Sequence, residues 1–417
     1  MATATTTTPA EPPAKQSLGK VIVRRVSIAV VLLLLMLVPS AVLFVITKQP
    51  SATYASMGAL VGAFALIAGG RRIAVITAIV ISLLAPISIV AGLSPFTGAA
   101  LMAIMTLTVG RLSIFGLHRA TMMVPIFMAW LLLTPIPWIS AGDRDRVSDL
   151  LTKQGLNLTQ ALNEMHNSTS SATSSASGAS GASSGVTTFL QDQRFDNSYL
   201  IWVALFFFIG TIIPVIVLPL AMRKMKKPEL AAHTRSEAVP YTVIITVLAA
   251  GATYYCLDHP KLVGGSFLIA TILVLTQIGN EIAWKTTIER VLGTFGGVLL
   301  LMGITSIVGT ASYTSVLGIP MPMGYYGIGL LFGAFAIIAK FSPRQWIYYI
   351  LITPTAALLN AFTTAQATSF GDQRLVDNAV GAVLVIIATV VTLVAGRLMK
   401  GRVTIAPALD IPGASPA

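Results

Sequence analysis

Apolar residues in this chain come in long unbroken runs, not in the alternating or one-faced patterns of a water-soluble fold. Val26 to Ile46, for example, contains no charged side chain. A bilayer core about 30 Å thick is crossed by a helix of about 20 apolar residues. Measured against that length, the pattern predicts helices near 26–46, 53–69, 73–92, 97–116, 120–139 and 198–221. A second set is expected near 239–257, 263–280, 290–309, 324–340, 345–363 and 377–397. The fold class expected is therefore an all-α integral membrane protein of about twelve transmembrane helices.

The polar stretches divide the chain. Residues 1–25 open with a Thr-, Ala- and Pro-rich segment and predict a disordered cytoplasmic tail. Lys20, Arg24 and Arg25 followed by an apolar run resemble a signal peptide, but the run is longer than a cleaved apolar region of about 7–15 residues. It is read as a retained first helix. The first membrane half is 26–221, interrupted at 140–197 by an external loop whose middle, Asn167–Thr188, is almost wholly Ser, Thr, Ala and Gly. A basic linker follows at 222–238, then the second half at 239–397 and a tail at 398–417.

Charge turns the hydropathy pattern into an orientation. With the N-terminus inside and twelve crossings, the inside segments hold 20 of the 27 Lys and Arg residues and the outside segments 7. That asymmetry is the positive-inside bias, and it predicts both termini in the cytoplasm. A miscounted helix would invert every later segment, so the ratio supports the count too. Overall, 55% of the 417 residues are hydrophobic and only 10% charged, against about 25% in soluble domains. The net charge of +12 lies between apolar runs instead of on one soluble face, which argues against nucleic acid as a partner. Cys256 is the single cysteine, so no intramolecular disulfide and no thiolate metal cluster can form.

Six helices per half predict two parallel repeats, an architecture used by transporters. Sliding one half along the other aligns Gly98 with Gly327, Leu101 with Leu330, Ser113 with Ser342 and Pro125 with Pro354, and sets Arg111 against Lys340. Each half also opens its last helix with Asp-Gln-Arg, at Asp192–Arg194 and at Asp372–Arg374.

The most distinctive stretch runs from Thr276 to Gly297. Gly293 and Gly297 lie four apart on one helix face, where they permit close packing, with Thr294 beside them as a hydrogen-bonding group. Arg290-Val-Leu-Gly293-Thr294-Phe-Gly-Gly297 resembles the Arg-x-x-Gly-Thr-x-x-Gly signature of the fusaric acid resistance and aromatic acid exporter superfamily. Arg374-Leu-Val-Asp377-Asn-Ala-Val-Gly381 is similar to that superfamily's opening of the last helix. The resemblance covers about 240–397; in the first half Gly69-Gly70-Arg71-Arg72 stands where the signature would be. It implies a multi-pass inner-membrane efflux protein of bacteria for aromatic and other organic acids.

The residues offer matching candidates. Ionisable groups at membrane depth are costly and mark function. Here they fall at predicted helix ends: Arg290, Lys340 and Arg111 inside, Arg194, Asp192, Arg374 and Asp377 outside. For an organic anion, Arg290 and Lys340 would form an intake ring and Arg194 and Arg374 an exit ring. The bland reading makes them snorkelling topogenic charges, and makes Arg374 and Asp377 a simple ion pair three apart. Pro125 and Pro354, in the fifth helix of each half, each free a carbonyl beside a path lined by Thr353, Thr355 and Asn360. No phosphate-binding loop, nucleophile elbow or histidine spacing suited to a metal is present, so no enzyme, cofactor or metal is expected.

The reading is a secondary permease exporting weak, mainly aromatic, organic acids across a bacterial plasma membrane. Its expected partners are a small organic anion and the lipid bilayer, with a homo-oligomer or an envelope partner also compatible. An anion channel or carrier for simple carboxylates, a non-transporting scaffold and a membrane-embedded transferase stay open.

Overall fold

The computed structural model describes residues 18–47, 49–133, 197–221, 232–259, 265–276, 284–308, 313–316, 319–322, 328–329, 331–333, 335–336, 339, 344–360 and 364–400. Its helices are α1 (Leu18–Thr47), α2 (Tyr54–Ala91), α3 (Pro95–Leu112), α4 (His118–Thr121), α5 (Met123–Leu133) and α6 (Asn197–Ala221). They continue with α7 (Arg235–Asp258), α8 (Gly265–Leu275), α9 (Trp284–Val308), α10 (Gln345–Asn360) and α11 (Thr364–Lys400). Among the described residues seven helices are long and apolar enough to cross a membrane. This is a multi-pass, helical membrane protein.

The outward faces explain why. Val239, Val243 and Val247 on α7 and Val380, Val383, Ile387 and Val391 on α11 are all exposed, spaced three or four apart. Such stripes belong against lipid, because in water each would cost the burial it forgoes. Inside the bundle, threonine hydroxyls return to their own helices, as Thr106 Oγ1 does to Met102 O at 2.8 Å and Thr253 Oγ1 to Ala249 O at 2.7 Å. That pattern satisfies polar groups where water is absent.

Two interruptions of the apolar pattern have clear backbone causes. The helices expected near 53–69 and 73–92 are both present within Tyr54–Ala91, separated at Gly70, which adopts the non-helical φ 81° and ψ 176°. Only glycine reaches that conformation without strain. The second concerns Pro125, expected inside a kinked helix. It sits within the helical stretch His118–Leu133, where Met122, between α4 and α5, keeps right-handed helical φ −57° and ψ −30°. A proline has no N–H to give the carbonyl four residues back, so Thr121 O loses its helical donor and the helix loosens beside Met122, as expected of a proline inside a helix.

One structural feature had no counterpart in the expected all-helical fold. Tyr313–Val316 pairs antiparallel with Ile319–Pro322, Tyr313 opposite Pro322 and Val316 opposite Ile319. The helix expected near 324–340, and the ends of those expected near 120–139 and 263–280, lie largely outside the described residues, as does the 140–197 loop.

Packing joins the two halves of the chain. The main core runs from Tyr54, Met102 and Met128 through Phe206, Phe207 and Ile245 to Ile272 and Val385, so both halves share it. The helices α3 and α7 lie antiparallel: Gly98 meets Leu257 and Gly110 meets Thr242. At one end of this pair the His233 N–H donates to Ser113 O at 3.3 Å, and the His118 and His233 rings are 5.2 Å apart. Gly69 packs on Ala120 at the same end. The exposed Arg71, Arg72, Arg111, Arg119 and Arg235 are thereby gathered together.

Candidate functional site

The site forms where α8, α9, α10 and α11 meet, and the packing of α9 on α10 is its foundation. Pro354 interrupts α10, so Ile350 O lacks the N–H it would otherwise accept from residue 354. Gly297 faces that carbonyl: a Cβ there would sit 2.7 Å from Ile350 O. Gly293 packs likewise on Trp346 O and Tyr349. The glycine pair thus lets α9 lie directly on the backbone that the proline exposes.

This close approach places the next side chains. Arg290, only 9% exposed, donates from Nε to Asn378 Oδ1 at 2.9 Å and from a terminal nitrogen to Thr271 Oγ1 at 3.0 Å. Asn378 Nδ2 donates to Thr294 Oγ1 at 3.1 Å, and the Thr271 hydroxyl proton is shared between Asn378 Oδ1 and Phe267 O. Gly381 leaves room for Thr271 to approach α11. The guanidinium also lies over the Tyr349 ring, 5.3 Å from its centroid. Arg290 is therefore a cation held by neutral partners, with no carboxylate bonded to it among the described residues.

One turn away on α11 stands Arg374. Its guanidinium lies over the Phe267 ring, 4.8 Å from the centroid. Its Nε is buried with no hydrogen-bond partner, and so is Oδ2 of Asp377. The ion pair that their spacing suggests is not formed. Asp377 lies near enough to Cys256 of α7 for its charge to be felt there. Tyr348 lies close enough to feel the charge of both Arg290 and Arg374. Two cations and one unpaired carboxyl therefore share an interior lined by tyrosine and phenylalanine.

Arg374 and Asp377 lie deeper in their helix than the apolar pattern predicts. The apolar pattern places Arg374 and Asp377 at the external mouth of a helix beginning near 377, and Arg290 at the cytoplasmic mouth. The helix begins at Thr364, and the apolar span containing both residues is Thr368–Val391. Arg290 lies within the span Thr287–Ile307 and bonds directly to Asn378, one turn of α11 beyond Arg374. At 1.5 Å per residue, the three residues from Thr287 put Arg290 about 4.5 Å into that span, within one turn of its end. The cause is plain: the polar residues 364–376 are helix-compatible, and hydropathy marks only where a helix turns apolar.

The remaining candidates are dispersed. Arg111 is exposed at the end of α3, with the other gathered arginines. Thr353 is fully buried and its hydroxyl donates to Tyr349 O at 2.9 Å; Thr355 donates to Leu351 O at 2.8 Å. Asn360 is the last residue of α10. Lys340, Asp192 and Arg194 lie outside the described residues. A surface hollow is lined by Thr368, Ser369, Asp372, Gln373 and Val376, all on α11, rather than by the contact between the halves. Asn378 and Phe267 were missed. Asn378 had a signal: it stands four residues after Arg374 and so shares its face of α11.

All of the site's residues fall in one segment. Residues 248–388 match the family described as fusaric acid resistance protein-like. The matched region is the second half, where the Arg-x-x-Gly-Thr-x-x-Gly resemblance lies, and it contains Phe267, Thr271, Arg290, Thr294, Arg374, Asp377 and Asn378. No curated protein and no solved structure matches the chain.

Proposed function

We propose that the chain is a secondary permease that exports weak organic acids, aromatic acids foremost, across the plasma membrane of a bacterium. The observation that carries this reading is Arg374: a guanidinium inside an apolar span, resting on a phenylalanine ring, its Nε unpartnered. A buried cation without a counter-ion is expensive, and a passing carboxylate is the partner that satisfies it. Arg290, fixed by Asn378 and Thr271, adds a second positive charge. The family description, which names resistance to an aromatic acid, supports the substrate class and the outward direction.

On this reading the twelve helices form two parallel six-helix repeats with both termini cytoplasmic. The gathered arginines 71, 72, 111, 119 and 235 support one cytoplasmic face. Arg111 and Lys340 would draw anions to that face, Arg374 would bind them within the membrane, and Asp192 and Arg194 would flank the exit. Export of an anion from a negative-inside cell gains about 2.3 kcal/mol per charge per 100 mV. No catalytic chemistry is assigned.

A deletion strain tests the reading in cells. Without the gene, the strain is expected to accumulate more fusaric acid or 4-hydroxybenzoate and to stop growing at lower concentrations of them. The wild-type gene supplied in trans restores both, and the Arg374→Gln variant at equal membrane abundance does not. Equal accumulation and growth with and without the gene, across a panel of aromatic acids, would sink the exporter assignment.

A further inference from the structure

Three aromatic rings from three helices converge beside the Arg374 cation. The Phe267 ring of α8 lies under the guanidinium at 4.8 Å. Its edge contacts are Trp130 of α5, at 5.7 Å and 88° between planes, and Phe370 of α11, at 6.4 Å and 84°. Phe370 is only 8% exposed while Phe267 and Trp130 are half-buried, so the inner ring is fixed and the outer two retain accessible surface. Neither Trp130 nor Phe267 belongs to a sequence motif, and Trp130 comes from the first half of the chain.

We propose that Phe267, held upright by Trp130 and Phe370, makes the Arg374 site prefer an aromatic carboxylate over an aliphatic one of equal size. The inference rests on the function proposed above. Arg374 now satisfies itself on the ring face of Phe267, a cation–π contact that is weaker than a paired carboxylate. An arriving carboxylate draws the guanidinium to itself through the unpartnered Nε and uncovers that face. A substrate ring attached to the carboxylate then meets Phe267 and Phe370 in offset or edge-to-face contact, where ring quadrupoles are complementary. A saturated ring of the same volume buries similar area but lacks that match. The edge-on packing of Trp130 keeps Phe267 from rotating out of the arrangement.

Benzoate and cyclohexanecarboxylate are the probes, since they share a carboxylate and differ in ring character. Their affinities are measured by titration calorimetry on the purified full-length chain in lipid nanodiscs. Wild type is expected to bind benzoate about three- to tenfold more tightly. Phe267→Leu is expected to bring the ratio close to one while leaving cyclohexanecarboxylate affinity within about twofold, and Phe267→Tyr to keep the wild-type ratio. Trp130→Leu is expected to lower the ratio part-way, and it serves as the reading if Phe267→Leu does not yield a monodisperse protein. An unchanged ratio in Phe267→Leu, or in Trp130→Leu where that variant stands in, overturns the inference. Equal wild-type affinity for the two probes also overturns it and leaves the permease reading standing. If wild type binds neither acid, the permease reading fails, and the inference with it.

Discussion

Replacing Arg374 with glutamine is expected to weaken binding of an aromatic carboxylate about ten- to hundredfold. The magnitude follows from a charge-assisted hydrogen bond, worth about 1.5–3 kcal/mol. Glutamine keeps a polar, hydrogen-bonding side chain of moderate length but removes the charge and the two-pronged donor geometry. Lysine restores charge without the fork, so Arg374→Lys is expected to recover only part of the loss. Folding is expected to be spared or improved, because the guanidinium Nε has no partner to lose. Calorimetric titration with benzoate, read beside a thermal melt of the same sample, separates the two effects. Wild-type affinity in Arg374→Gln would remove the cation from the site.

The reverse signature is expected at Asn378. Changing it to leucine leaves the buried Arg290 guanidinium without its Nε acceptor and Thr294 without a donor. Stranding a charged donor costs on the order of 2–3 kcal/mol, and the neighbouring threonine adds to it. The variant should melt well below wild type in nanodiscs. Asn378→Asp keeps an acceptor for Arg290 and should hold most of the stability. Its added negative charge beside Arg374 should weaken carboxylate binding instead. The paired variants thus separate what holds the helices together from what attracts the substrate. A melt unchanged in Asn378→Leu would mean that Arg290 finds another acceptor, and the four-helix network would have to be redrawn.

How far the sequence disclosed this can be traced residue by residue. Gly293, Gly297 and Pro354 were legible because each carries a backbone rule: glycines four apart invite a neighbour, and proline frees a carbonyl. That the freed Ile350 carbonyl is what Gly297 packs against was not, since it depends on which helix docks there. The break at Gly70 is legible as the polar interruption Gly69-Gly70-Arg71-Arg72, which ends one apolar run and opens the next. Arg374 was recognised as a candidate and misplaced in depth, because a transfer ruler sees the apolar part of α11 and not the polar turns that precede it. Arg290 was recognised for its motif, but its partners Asn378 and Thr271 are distant in sequence. No local pattern links them. The Phe267 contacts are harder still: phenylalanine in an apolar run is the expected residue, and only the fold places a cation on its ring.

Counterflow in reconstituted vesicles tests the account most directly. Proteoliposomes loaded with unlabelled 4-hydroxybenzoate and diluted into a trace of the labelled acid are expected to take up label saturably, above protein-free vesicles. A potassium diffusion potential that makes the interior negative should speed outward movement. Arg374→Gln, reconstituted at equal density, should fall to the protein-free level. Label uptake by wild-type proteoliposomes no faster than by empty vesicles, across several aromatic acids, would contradict the assignment of this chain as an organic-acid permease.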